Sequence, residues 1–147
     1  MIALVATPID VGGLIDAVRD DAHGAVCTFL GTTRATSPGD PRPVAALDYE
    51  AYADMVLADF EAIAGEARAR FGPLKIAIVH RTGRVALGET SVAVAVGAPH
   101  RRAAFDACAF AIDTLKARSP IWKRETYRDG DGAWVANAPV AGPSSAP

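Results

Sequence analysis

The sequence is short of the residues that most often mark an enzyme. Two cysteines, Cys27 and Cys108, stand in apolar surroundings with no CxxC or His/Cys spacing. That excludes a thiolate zinc site and a disulfide framework, and reads both as small core residues. No serine occupies a GxSxG elbow, and neither a P-loop nor a GxGxxG turn is present, so three large enzyme classes have no signature here. No run approaches the roughly 18 apolar residues of a membrane span, and the N-terminus lacks a basic stretch followed by an apolar one. A cytoplasmic location is expected. A net charge of −2 leaves no cationic excess for a polyanion or an anionic membrane surface, so neither nucleic acid nor membrane is an expected partner. No internal repeat is visible, and 147 residues suit one ordinary domain. That domain is read as 1–136, with the proline-rich, aperiodic 137–147 as a disordered tail.

What is present is a local concentration of cations. Between residues 99 and 128 stand Arg101, Arg102, Lys116, Arg118, Lys123, Arg124 and Arg128 against Asp106, Asp113 and Glu125. A basic cluster in an acidic chain fits a small anionic ligand. Ala104, Phe105, Cys108, Ile112 and Leu115 recur at helical spacing and predict a helix over 99–118 with one buried stripe. Pro99 suits the first turn, and Pro120 stops the helix near Arg118. Lys116 and Arg101 fall beside the stripe and read as half-buried. Beyond the break, 121–125 reads as an extended segment returning Lys123 past the helix end, so that two lysines face one pocket. A desolvated lysine with a cationic neighbour has a lowered pKa and suits proton transfer or oxyanion stabilisation. The plainer alternative is a set of solvated cations complementing the helix C-terminus.

The other elements follow from pattern. Helices are expected over 10–20, with Val11, Leu14, Ile15 and Val18 inward, and over 54–71, with Val56, Phe60, Ile63, Ala67 and Phe71 inward before Gly72-Pro73. Residues 24–31 read as a buried strand that delivers Arg34 at its end. Residues 35–44, with three prolines, read as a mobile loop, and 46–52 as a strand. Short connections over 74–96 imply successive antiparallel strands, with a final short strand over 130–135 anchored by Trp134. His80 reads as a hydrogen-bonded structural histidine. The sum is an α+β fold, a mostly antiparallel sheet with about three helices.

Six stretches, FLGTTR (29–34), LDYEAY (47–52), VHRTG (79–83), PHRRAAFDA (99–107), LKARSPIWKRE (115–125) and DGAWV (131–135), together resemble the large, catalytic subunit of molybdopterin synthase, the MoaE family. The resemblance runs from Gly24 to Val135 and departs from the family in the 35–44 loop and the tail. It implies a hammerhead-like α/β fold and a sulfurtransferase that converts cyclic pyranopterin monophosphate to molybdopterin. The sulfur would come from the thiocarboxylated C-terminus of a small ubiquitin-like subunit ending in Gly-Gly, with no cofactor or metal. By motif position, Lys116 and Lys123 carry over as the catalytic pair, Arg34, His100 and Arg101 as phosphate and pterin ligands, and Thr32, Thr33, Arg124 and Glu125 as pocket residues. It also implies a homodimer with one small subunit at each outer end, a heterotetramer. Geometry adds that Arg101 and Lys116 lie at opposite ends of one helix, roughly 22 Å apart at 1.5 Å per residue, so His100 and Arg101 are expected from the partner chain. The alternative function is a non-enzymatic domain that binds a phosphorylated metabolite. Trp122 is read as a packing anchor, not as a stacking platform for nucleic acid.

Overall fold

A computed structural model describes residues 1–135; the end of the expected domain at 136 and the 137–147 tail lie outside the described residues. Eleven elements follow in order: β1 (Ile2–Val5), α1 (Val11–Val18), β2 (Ala25–Thr32), β3 (Val44–Ala51), α2 (Ala53–Phe71), β4 (Lys75–Arg81), β5 (Gly83–Ala86), β6 (Thr90–Ala98), α3 (Arg101–Arg118), β7 (Ile121–Tyr127) and β8 (Gly132–Val135). They form two four-stranded sheets, ordered β1-β4-β6-β2 and β5-β3-β7-β8. All pairings are antiparallel except β1 with β4.

Strand β6 explains the layering of the first sheet. Its alternating Val and Ala side chains are buried along its whole length, as expected of a strand covered on both faces. Val92, Val94 and Val96 face α2 and α3, joining Phe60, Ile63, Ala107 and Ile112 in the main core. Ala93 and Ala95 face α1 with Leu14 and Val18. The larger side chains thus fill the space under two long helices, and the smaller ones let a short helix approach. Burial of Phe60 or Ile63 contributes about 1.5–3 kcal/mol each. Helix α1 starts where the Asp10 carboxylate accepts the Gly13 N–H at 3.0 Å, a side-chain cap. Helix α2 ends at Gly72, whose φ of 91° is open to glycine at no steric cost.

Several expectations are corrected. Helix α3 begins at Arg101 with His100 as its N-cap residue, so Pro99 precedes the helix. Phe105 is 57% exposed, and Ala104, Ala107, Cys108, Ala111, Ile112 and Leu115 make the buried stripe instead. Lys116 and Arg101 are exposed rather than half-buried. Strand β2 is an edge strand with Val26 and Leu30 exposed, not a fully buried one. The 74–96 strands do not form one meander: β4 and β6 pair in one sheet, while β5 crosses to pair with β3 in the other. Trp122 and Trp134 are 46% and 58% exposed and anchor nothing in the core. Tyr52 meets Trp122 edge-on at 5.1 Å. Cys27 is only partly buried, while Cys108 is buried as expected, and both are free thiols.

Candidate functional site

The end of α3 is fixed first, because Lys116 depends on it. The Arg118 guanidinium donates to Asp59 at 2.6 Å and Glu66 at 3.0 Å on α2, and the Ser119 hydroxyl donates to Asp59 at 2.5 Å. The chain turns at Pro120 into β7, where Lys123, Glu125 and Tyr127 share one face by two-residue alternation. Across β3 they oppose Tyr49, Leu47 and Val44. The end of β2 is held separately: Thr33 N–H donates to the Glu89 carbonyl at 3.0 Å, and Gly88 N–H donates to the Thr33 carbonyl at 2.8 Å. Glu89 is itself held by Arg81 at 2.9 Å and by the Ala86 N–H. These bonds fix the exit from β2 that carries Arg34.

A cavity of about 640 Å³ opens where the two sheets meet the end of α3, lined by Thr32, Arg34, Tyr49, Ser91, Lys116, Lys123 and Glu125, with Thr36, Ser37 and Pro38 from the 35–44 loop. Three cations against one carboxylate make it a site for an anion. A small recess behind it is lined by Tyr49, His80, Ser91, Lys116 and Lys123. Burial lowers the Lys123 pKa, the Lys116 and Arg34 charges lower it further, and Glu125 opposes them. Lys123 therefore combines desolvation with cationic neighbours, the arrangement that readies a lysine for proton transfer. His80 donates from Nδ1 to the Arg81 carbonyl at 2.8 Å, and burial takes its pKa down to about 4, with Lys116 adding to the shift. The hydrogen bond to Arg81 agrees with the reading of His80 as a hydrogen-bonded structural histidine. Burial and the adjacent Cys27 push the Cys108 thiol up to about 12, so it is a poor thiolate, and neither cysteine lines the cavity.

Five of the nine residues expected in the site, Thr32, Arg34, Lys116, Lys123 and Glu125, meet in this cavity. Four do not. His100 and Arg101 line a second hollow of about 530 Å³ with Arg102 and Phe105 at the start of α3. Thr33 is buried, and its Oγ1 has no hydrogen-bond partner among the described residues. Arg124 alternates to the other face of β7, exposed, opposite Trp134. Tyr49 and Ser91, which line the cavity, were missed, as was Tyr127, which lies outside it and bonds to Glu125. Alternation along 121–127 would have placed Tyr127 with Lys123 and Glu125, but Ser91 needed the tertiary fold. Among the described residues no group of three His, Cys, Asp or Glu side chains converges to hold a metal.

The MoaE protein family matches over residues 4–118. The chain belongs to the MoaE family. It is 41% identical over 135 residues to the molybdopterin synthase catalytic subunit of Nostoc sp., covering 91% of this chain and 81% of that one. Eukaryotic relatives are longer, and the chain spans 65% of the rice proteins and 37% of the Drosophila mojavensis one. Among solved structures, molybdopterin synthase from Staphylococcus aureus superposes with a TM-score of 0.85 at 30% identity, over 90% of this chain and 94% of that one. The complex of subunits 1 and 2 of molybdopterin-converting factor from Helicobacter pylori shares the fold, with a TM-score of 0.75 at 20% identity, over 94% and 92%. The MoaE chain is thus an enzyme, a molybdopterin synthase catalytic subunit and sulfurtransferase of molybdenum cofactor biosynthesis. The binding-only alternative gives way to this, and the α+β hammerhead-like fold with three helices stands.

Proposed function

We propose that the cavity holds cyclic pyranopterin monophosphate and that its sulfur comes from the C-terminal thiocarboxylate of a small ubiquitin-like subunit ending in Gly-Gly. The observation that carries this is the convergence of Lys116, Lys123 and Arg34 around one cavity that neither cysteine lines. A site without a resident sulfur nucleophile suits sulfur that arrives already activated. Lys116, at the exposed end of α3, receives the incoming thiocarboxylate. Lys123, with its lowered pKa, gives a proton to the departing oxygen as each carbon–sulfur bond forms and a carbon–oxygen bond of the pterin side chain breaks, that oxygen leaving as the freed phosphate-ester oxygen or as water. Water then cleaves the acyl–sulfur bond, so the carrier leaves as a carboxylate and the sulfur stays on the pterin side chain; a second carrier completes the dithiolene. Arg34 offers a planar fork for the substrate phosphate.

The two hollows support a shared site. His100 and Arg101 lie about one α3 length from Lys116, so one small pterin cannot reach both ends in a single chain. In this reading the chain is a cytoplasmic homodimer in which each cavity takes His100 and Arg101 from the partner, with a small subunit at each outer end. The pairing with a second subunit is in keeping with the complex of subunits 1 and 2 of the Helicobacter pylori molybdopterin-converting factor, which shares this fold. The test is a single-turnover assay with thiocarboxylated small subunit and cyclic pyranopterin monophosphate. Lys116→Ala should abolish product while the fold is retained, and Lys123→Ala should lower it. Near-normal turnover by a soluble Lys116→Ala protein would refute the assignment.

A further inference from the structure

The β7 row that carries Lys123 and Glu125 continues to a residue outside the cavity lining. The Tyr127 hydroxyl donates to Glu125 Oε2 at 2.9 Å, with the two residues 3% and 5% exposed. Tyr127 packs with Val44 and Leu47 in a small core of the second sheet. Its outer ring face is covered by the Arg42 guanidinium, 3.9 Å from the ring centroid, a cation–π contact. Arg42 is fixed in turn by Asp40, at 2.6 Å, and lies 3.6 Å from Asp131, the residue just before β8. The backbone closes the same unit, since Arg128 N–H donates to the Pro43 carbonyl at 3.0 Å.

We propose that Tyr127 is a positioning residue for the sulfur-transfer reaction: its hydroxyl holds the Glu125 carboxylate beside Lys123, and Arg42 holds Tyr127. Three features support the direction of this effect. A buried carboxylate turned away from the Tyr127 hydroxyl would lose the charge-assisted hydrogen bond that fixes its direction, and the neighbouring lysines would pull it to a different position in the cavity. Burial and the neighbouring carboxylate push the Tyr127 phenol up to about 12, so the hydroxyl remains a donor throughout the working pH range. Lastly, Arg42 and the cavity-lining Thr36, Ser37 and Pro38 belong to one connection between β2 and β3. The stacked ring therefore ties that loop to the carboxylate that steadies the lysine pair.

The inference rests on the function proposed above, and the experiment separates the two. Tyr127→Phe keeps the ring, the Arg42 stack and the core packing while removing the donor. It is expected to lower kcat by about tenfold with KM within about twofold, the size of one lost hydrogen bond to a charged group. Because Tyr127 acts through Glu125, adding Tyr127→Phe to Glu125→Gln should produce no further loss, a coupling that a purely structural role would not show. Arg42→Leu leaves the hydroxyl but removes its cover, and should give a smaller kcat loss that is likewise absent beside Glu125→Gln. Full activity of Tyr127→Phe, or losses that simply multiply in the double variants, would overturn the inference alone. A wild-type chain that makes no product would overturn the functional reading and this inference with it.

Discussion

Lys123 lies between opposing charges, and their signs make its role testable one residue at a time. Lys116 and Arg34 lower its pKa beyond what burial does, whereas Glu125 raises it. If the reaction needs protonated Lys123, kcat falls as pH rises through that pKa. Glu125→Gln removes the raising influence and should move this alkaline limb to lower pH; Arg34→Gln removes a lowering one and should move it to higher pH. Shifts in the same direction, or none, in kcat–pH profiles would remove Lys123 from proton transfer. His80 makes a separate prediction about stability. Its pKa falls from 6.5 to about 4 on folding, so as pH drops below 6.5 the unfolded chain takes up a proton that the native state refuses. Stability is therefore intact above that pH and is lost progressively down to pH 4, by at most about 3 kcal/mol. In urea titrations at pH 7 and pH 4.5, His80→Gln should lose less stability between the two than the wild type. An identical loss would assign acid sensitivity elsewhere.

At the scale of elements, local periodicity carried most of the reading, and it failed where a partner strand decides. Helices α2 and α3 were legible because Val56, Phe60, Ile63 and Ala67, or Cys108, Ile112 and Leu115, repeat on one face and end at Gly72 or before Pro120. Phe105 misled because hydrophobicity at a roughly helical interval does not say where the facing layer stops. Strand β1 was missed altogether: four residues carry no period of their own, and only parallel pairing with β4 makes them a strand. The crossing of β5 to the second sheet is likewise a long-range fact. In the site, Lys116 and Lys123 were found because they cluster in sequence, Arg34 because it ends a strand and Glu125 only through the family motif, while Tyr49 and Ser91 come from strands that meet them only in space. The glycines test the layering directly. A Cβ on Gly97 would collide with the Val18 carbonyl and lie 2.7 Å from His23 Nδ1, so α1 would have to lift off β6. Gly97→Ala should destabilise the fold by about 1–3 kcal/mol. Gly65, within α2, has nothing within 4 Å of its added Cβ, and Gly65→Ala should stabilise by about 0.5–1 kcal/mol. Chemical denaturation of the pair reads both signs, and a harmless Gly97→Ala would contradict the close approach of α1.

At the scale of the whole molecule, the two cationic hollows pose a problem of distance that one chain does not solve. Lys116 lines the main cavity at one end of α3, and His100 and Arg101 line the other hollow at its start. A helix does not bend through that length to bring its ends to one ligand, but a two-fold partner can bring the start of its α3 to the end of this one, and does so twice. The proposed homodimer therefore predicts complementation. Lys116→Ala and Arg101→Ala chains should each be inactive alone. In a mixed dimer one site carries both defects, while the other takes Lys116 from the Arg101→Ala chain and Arg101 from the Lys116→Ala chain and carries neither. After subunit exchange at equal concentrations, half the dimers are mixed and half their sites intact, so about a quarter of wild-type activity should return. Exchange can be followed independently by mixing chains with distinguishable tags. A mixture that exchanges fully and stays inactive, or a wild-type chain that turns over as a monomer in sedimentation, would show that His100 and Arg101 serve some purpose other than completing a partner's cavity.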